Sequence, residues 1–164
     1  MLSTPNKNIF ILACEKYSGK TTALLHWVKD KQNIAGILSP DIDGVRHFYD
    51  IEKHAYFNML ATENEETLPV GKYIFSKAAF DKANDILLSI KNKFIIIDEI
   101  GPLETSGKGF AATLQTILKN KNYSNLLLVV RKDLVENMLT YFSIDKDDLL
   151  FLSIEDVQKN KIDI

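Results

Sequence analysis

Ser18-Gly19-Lys20-Thr21-Thr22 places a residue without a Cβ, a long flexible cation and two hydroxyls side by side. That order suits a polyphosphate. The glycine lets backbone N–H groups approach an anion, the ammonium reaches the β/γ oxygens, and the first threonine hydroxyl can ligate Mg²⁺. In the spacing G-x-x-x-x-G-K-[ST], Gly19, Lys20 and Thr21 stand in register, but Cys14 occupies the position of the first glycine. Glu15, Lys16, Tyr17 and Ser18 fill the gap, so the stretch from Glu15 through Thr22 is read as a degenerate phosphate-binding loop. Its side chains restrict positive φ, and Glu15 brings a negative charge that Lys16 can offset.

A second set of chemical groups follows the run Phe94-Ile95-Ile96-Ile97. Asp98 is expected to hold the Mg²⁺ shell, and Glu99 to orient and deprotonate an attacking water. Arg131 follows Leu126–Val130 and is expected at the same edge, where it would stabilise charge on a γ-phosphate. The candidate catalytic residues are therefore Glu99, Lys20 and Arg131, with Thr21 and Asp98 on the metal. His26, His47 and His54 lack metal-ligand spacing, and Cys14 reads as a small buried filler, not a nucleophile.

Elements must carry these groups to one place. Ile9–Cys14, Ile34–Leu38, Phe94–Ile97, Leu126–Val130 and Leu149–Leu152 are short apolar runs bounded by polar residues, the pattern of strands covered on both faces. Between them, Ala23, Leu24, Trp27 and Val28 share a helical face within residues 20–32. So do Phe80, Ala83, Leu87 and Ile90; Phe110, Leu114, Ile117 and Leu118; and Leu134, Val135, Met138 and Leu139. Alternating apolar positions across 45–61 predict an antiparallel hairpin turning near Glu52-Lys53. Thr62 to Leu68 reads as loop and Val70 to Phe75 as an edge strand. Strand and helix alternate throughout, which predicts an α/β architecture with a mostly parallel central sheet.

At 164 residues the chain is expected to form one domain, 1–164. With 46% hydrophobic and 26% charged residues and a net charge of −2, it is neither disordered nor a basic nucleic-acid sleeve, so no nucleic-acid partner is expected. A single cysteine excludes an internal disulfide and fits a cytosolic compartment. The apolar run ending at Cys14 is too short for a membrane span or a signal segment.

Three strings together resemble the thermophilic nucleoside-triphosphatase family, small P-loop enzymes that include the cancer-related nucleoside-triphosphatase. They are Gly19-Lys20-Thr21-Thr22, Val70-Gly71-Lys72-Tyr73 and Ile97-Asp98-Glu99-Ile100-Gly101-Pro102-Leu103-Glu104. The resemblance runs from about Asn8 to Asn160. It implies a three-layer RecA-like fold, Mg²⁺ dependence, and slow hydrolysis of several nucleoside triphosphates, ATP or GTP among them, to diphosphate and phosphate. Lys20 and Thr21 would then serve phosphate and magnesium, Asp98 the metal shell and Glu99 the water. Glu104 matches the family's acidic position without a role derivable from the residues. The chain is expected to act as a monomer. Two other readings use the same residues: a nucleotide- or partner-binding module that has lost catalysis, and kinase-like transfer of the γ-phosphoryl group to a small acceptor.

Overall fold

The computed structural model describes residues 7–162. Its strands are β1 (Ile9–Cys14), β2 (Ile34–Leu38), β3 (Asp41–Ile42), β4 (Val45–Asp50), β5 (Ala55–Asn58), β6 (Thr67–Val70), β7 (Tyr73–Ser76), β8 (Phe94–Ile100), β9 (Asn125–Arg131) and β10 (Leu149–Leu152). The helices are α1 (Lys20–Val28), α2 (Lys77–Ser89), α3 (Pro102–Thr105), α4 (Ala111–Asn120), α5 (Val135–Tyr141) and α6 (Ile154–Gln158).

The sheet order is β10-β1-β9-β8-β2-β4-β3, and β10 through β2 are mutually parallel. Period-2 alternation divides these strands between two cores. Ile11, Ile95, Ile97, Leu126 and Leu128 pack with Phe80 and Leu87 of α2, Leu114 of α4 and Met138 of α5 on one face. Phe10, Leu12, Ile96, Leu127 and Val129 pack with Leu24, Trp27 and Val28 of α1 and Val157 of α6 on the other. The result is the expected three-layer arrangement. Among the described residues, no helix is long and apolar enough to cross a membrane.

The predicted hairpin is present as β4–β5, antiparallel to each other, with β4 antiparallel to β2. Asp50 Oδ1 sets its turn by accepting the N–H groups of Glu52 and Lys53 at 3.1 and 3.2 Å. Three local expectations change. First, the helix predicted over 20–32 ends at Val28, whose carbonyl accepts the Lys31 N–H at 3.2 Å in a tighter turn, and Asn33, at a positive φ of 61°, then leads the chain into β2. Second, the segment read as loop through Leu68 followed by one edge strand is a second hairpin, β6–β7, in which Val70 pairs with Tyr73. Gly71, at φ 56°, supplies the first position of its two-residue turn. This hairpin is tied to the chain after β5, where the Ser76 N–H donates to the Met59 carbonyl at 2.9 Å. Third, α6 follows the last strand, where Ser153 and Asp156 form a reciprocal N-terminal cap and Val157 enters the core.

Candidate active site

Parallel strands release their C-terminal ends at one edge, the usual place for a site in such a sheet. Here that edge gathers the residue sets separated by 77 positions in sequence. β1 runs into the loop Glu15–Gly19 and then α1, while β8 delivers Asp98 and Glu99. β9 lies between β1 and β8, so Arg131 emerges between the loop and the two acids.

The loop departs from right-handed backbone at two positions. Gly19, at φ 81°, caps α1 and allows its carbonyl to accept the Ala23 N–H at 3.0 Å. Tyr17 holds φ 60° with a full side chain, 77% exposed, beneath the Lys16 ammonium 5.2 Å from its ring centre. No side chain caps α1, which leaves the N–H groups of its first turn available to an anion.

Behind the loop, Lys20 is buried and its Nζ lies 3.0 Å from Glu99 Oε2. The Thr21 hydroxyl donates to Asp98 Oδ2 at 2.8 Å, and the Ser39 N–H donates to the same oxygen at 3.2 Å. The Ser39 hydroxyl donates to the Asp98 carbonyl. Asp98 is 1% exposed, and its Oδ1 is buried without a hydrogen-bond partner among the described residues. Burial, then the neighbouring Glu99 charge, push the Asp98 carboxyl above its ordinary range, against the pull of Thr21, Ser39 and Lys20.

That orphaned oxygen beside a threonine hydroxyl tests the fit to Mg²⁺. Both are hard oxygen donors, and a magnesium site needs only one or two protein ligands with phosphate and water oxygens completing the shell. Among the described residues, no group of three or more His, Cys, Asp and Glu forms a cage of its own. The residues present therefore fit the ion.

Not every candidate faces the same space. Lys16 through Thr22, Glu99 and Arg131 line one cavity of about 850 Å³, whereas Glu15 lies outside its lining and is exposed 3.8 Å from Lys132. Arg131 lines the cavity, but its Nε and Nη2 are held by Asp133 at 3.0 and 2.5 Å. A phosphate would have to draw it away from that carboxylate. Cys14 is buried, and burial raises its thiol pKa, in keeping with a filler.

The structure also finds residues that motif reasoning missed. Ser39 follows β2, and only the β2–β8 pairing brings it onto Asp98. Glu104 acquires a positioning role: its Oε2 accepts the Gly101 N–H at 2.8 Å and its Oε1 the Phe110 N–H at 3.1 Å. It thereby ties together the segment that follows Glu99. Gly109, at φ 59°, makes room, since a Cβ there would meet the Glu104 carboxylate and come within 3.1 Å of Leu103 Cβ.

Glu104 is 3% exposed, and burial raises its pKa from 4.5 to about 7. Between those values the folded state holds one proton more than the unfolded chain, so this group removes stability as pH rises through that window. The loss should amount to roughly 3 kcal/mol, at about 1.4 kcal/mol per pKa unit. Glu104→Gln cannot ionise, and urea unfolding at pH 4.5 and 7.5 should show a shallower fall than in the parent. Equal falls would mean that Glu104 titrates normally in the fold.

A strand-loop-helix phosphate cradle facing an acidic strand tip across an intervening parallel strand defines a P-loop nucleotide-binding fold. Residues 9–163 match the family described as NTPase, and the chain belongs to this family of small P-loop NTPases. Its fold is similar to the solution structure of a human cancer-related nucleoside triphosphatase, with a TM-score of 0.67 at 14% identity over 94% of this chain and 95% of that one. It is likewise similar to the crystal structure of THEP1 from the hyperthermophile Aquifex aeolicus, with a TM-score of 0.64 at 16% identity over 95% and 96% of the two chains. A sequence search of curated proteins finds no match.

Proposed function

We propose that the protein hydrolyses nucleoside triphosphates, ATP or GTP among them, to diphosphate and phosphate in a slow, Mg²⁺-dependent reaction with broad base tolerance. The observation that carries this reading is the joining of Lys20 to Glu99 and of Thr21 to Asp98, with Lys20, Thr21 and Glu99 lining the cavity and Asp98 buried directly behind Thr21. In the proposed cycle the first-turn N–H groups of α1 and the Lys20 ammonium bind the β- and γ-phosphates. Lys20 exchanges its carboxylate partner for phosphate oxygens, which frees Glu99. Glu99 then orients a water in line with the β–γ bridge and takes its proton as the oxygen attacks phosphorus. Mg²⁺, held by Thr21 and Asp98, would neutralise charge on the β- and γ-oxygens when bound. Arg131, once drawn from Asp133, lies on the side where transition-state charge collects.

Single-turnover phosphate release, with protein in excess over labelled ATP or GTP, tests the proposal. Release is expected with Mg²⁺ and should fall to the uncatalysed level when EDTA removes the metal. Undiminished release in EDTA would count against the Thr21–Asp98 assignment. Absence of release with Mg²⁺, together with retained nucleotide binding, would favour a binding module.

A further inference from the structure

The cavity is larger and less polar than a water-admitting channel requires. Beyond Glu99 it continues between the two hairpins, where Tyr56, Met59, Val70, Tyr73 and Phe110 line it together with Arg46. Tyr56 stands on β5, and Val70 and Tyr73 flank the β6–β7 turn, so the wall is built from the elements added beside the parallel sheet. Arg46 projects from β4, and its Nε is buried without a hydrogen-bond partner among the described residues. Burying a guanidinium N–H without an acceptor is costly, and a ligand anion in the cleft would satisfy it.

In-line chemistry gives this half of the cleft a direction. The leaving β-phosphate must lie in the α1 loop, so the attacking oxygen enters from the opposite side, past Glu99. The aromatic wall lines the same cavity as Glu99. A site built only for water has no use for the exposed Tyr56 ring, the Tyr73–Phe75 stack and an unpaired arginine there, whereas a flat organic molecule with an anionic group matches them.

We propose that this half of the cleft is an acceptor subsite, and that the protein transfers the γ-phosphoryl group to a hydroxyl of a small aromatic molecule bearing an anionic group. The proposal rests on the triphosphatase reading for the donor side. Glu99 takes the hydroxyl proton, the acceptor oxygen bonds to the γ-phosphorus, and the β–γ bridging bond breaks with its electron pair leaving on the nucleoside diphosphate. The proton on Glu99 then passes to solvent. Hydrolysis would be the same step with water in place of the acceptor.

Two probes satisfy the chemistry, AMP and 4-hydroxybenzoate. Each is titrated by calorimetry onto the protein saturated with Mg²⁺ and the imido analogue of ATP, then incubated with γ-labelled ATP for product analysis. At least one probe is expected to bind beside the analogue, to bind about tenfold or more weakly to Arg46→Ala, as loss of a charged hydrogen bond predicts, and to gain the label. Arg46→Lys should recover part of the affinity. The melting temperature of Arg46→Ala without probe separates lost contact from lost fold, and Tyr56→Ala, at an exposed position, provides an independent second variant. Failure of both probes to bind beside the analogue, or their displacement of it, would overturn the subsite. Binding without label transfer would overturn the transfer step. Analogue binding by the parent and its loss in Lys20→Ala report on the donor side separately, so failure there is distinguishable from failure of the acceptor subsite.

Discussion

Glu99→Gln is expected to lower single-turnover phosphate release by about 10²–10⁴-fold, the usual range for removing a general base. Triphosphate affinity should hold or rise. An amide keeps the shape of the side chain and can still accept a hydrogen bond from water, but it cannot take the proton as the P–O bond forms. Lys20 explains the sign on binding. In the resting site its ammonium is engaged by Glu99 at 3.0 Å, and incoming phosphate must compete with that carboxylate. Removing the charge on residue 99 releases Lys20 and eliminates a negative group facing the γ-phosphate. Quench-flow measurement of product beside equilibrium binding of the imido analogue separates the two effects. Parent-like release in the variant would remove Glu99 from the mechanism.

Lys20→Ala is expected to weaken triphosphate binding by about 100-fold or more, because charge-assisted contacts to the β- and γ-oxygens are among the stronger hydrogen bonds. The same change acts on the resting protein. It leaves Glu99 unpaired beside the buried Asp98, whose carboxyl already feels the Glu99 charge. A lower melting temperature near neutral pH should therefore accompany the loss of binding. Lys20→Arg should restore little, since a broad planar fork does not fit a slot that holds a compact ammonium. Calorimetric titration with the imido analogue and thermal melts of both variants test these points together. Near-parental affinity in Lys20→Ala would show that the triphosphate does not lie in the α1 loop.

The candidate residues could be picked out from the sequence where chemistry and local pattern coincide. Gly19, Lys20 and Thr21 are consecutive, and Asp98 and Glu99 terminate a fully apolar run, so each half could be read without knowing the other's position. Glu104 was visible only as an acid of unknown purpose. Its purpose depends on two N–H groups, at Gly101 and Phe110, that no periodicity reveals. Arg131 illustrates the converse. Its place at a strand end was correct, yet Asp133, two residues on, holds its guanidinium in the resting structure.

By itself the sequence determined the alternation of strands and helices, the loop that joins β1 to α1, the acidic strand tip and the membership of a P-loop family. These features are local: a strand or a helix face is written in spacings of two to four residues, and burial follows from the apolar pattern. Tertiary structure decided the insertion of β9 between β1 and β8, the approach of Ser39 to Asp98, and the engagement of Lys20 by Glu99. It also decided that residues of both hairpins, Arg46 of β4 among them, line one cleft with the β1–α1 loop. Each of these is a choice among distant partners. Such a choice is settled by competition among strand pairings and buried charges across the whole chain, which local spacing does not encode.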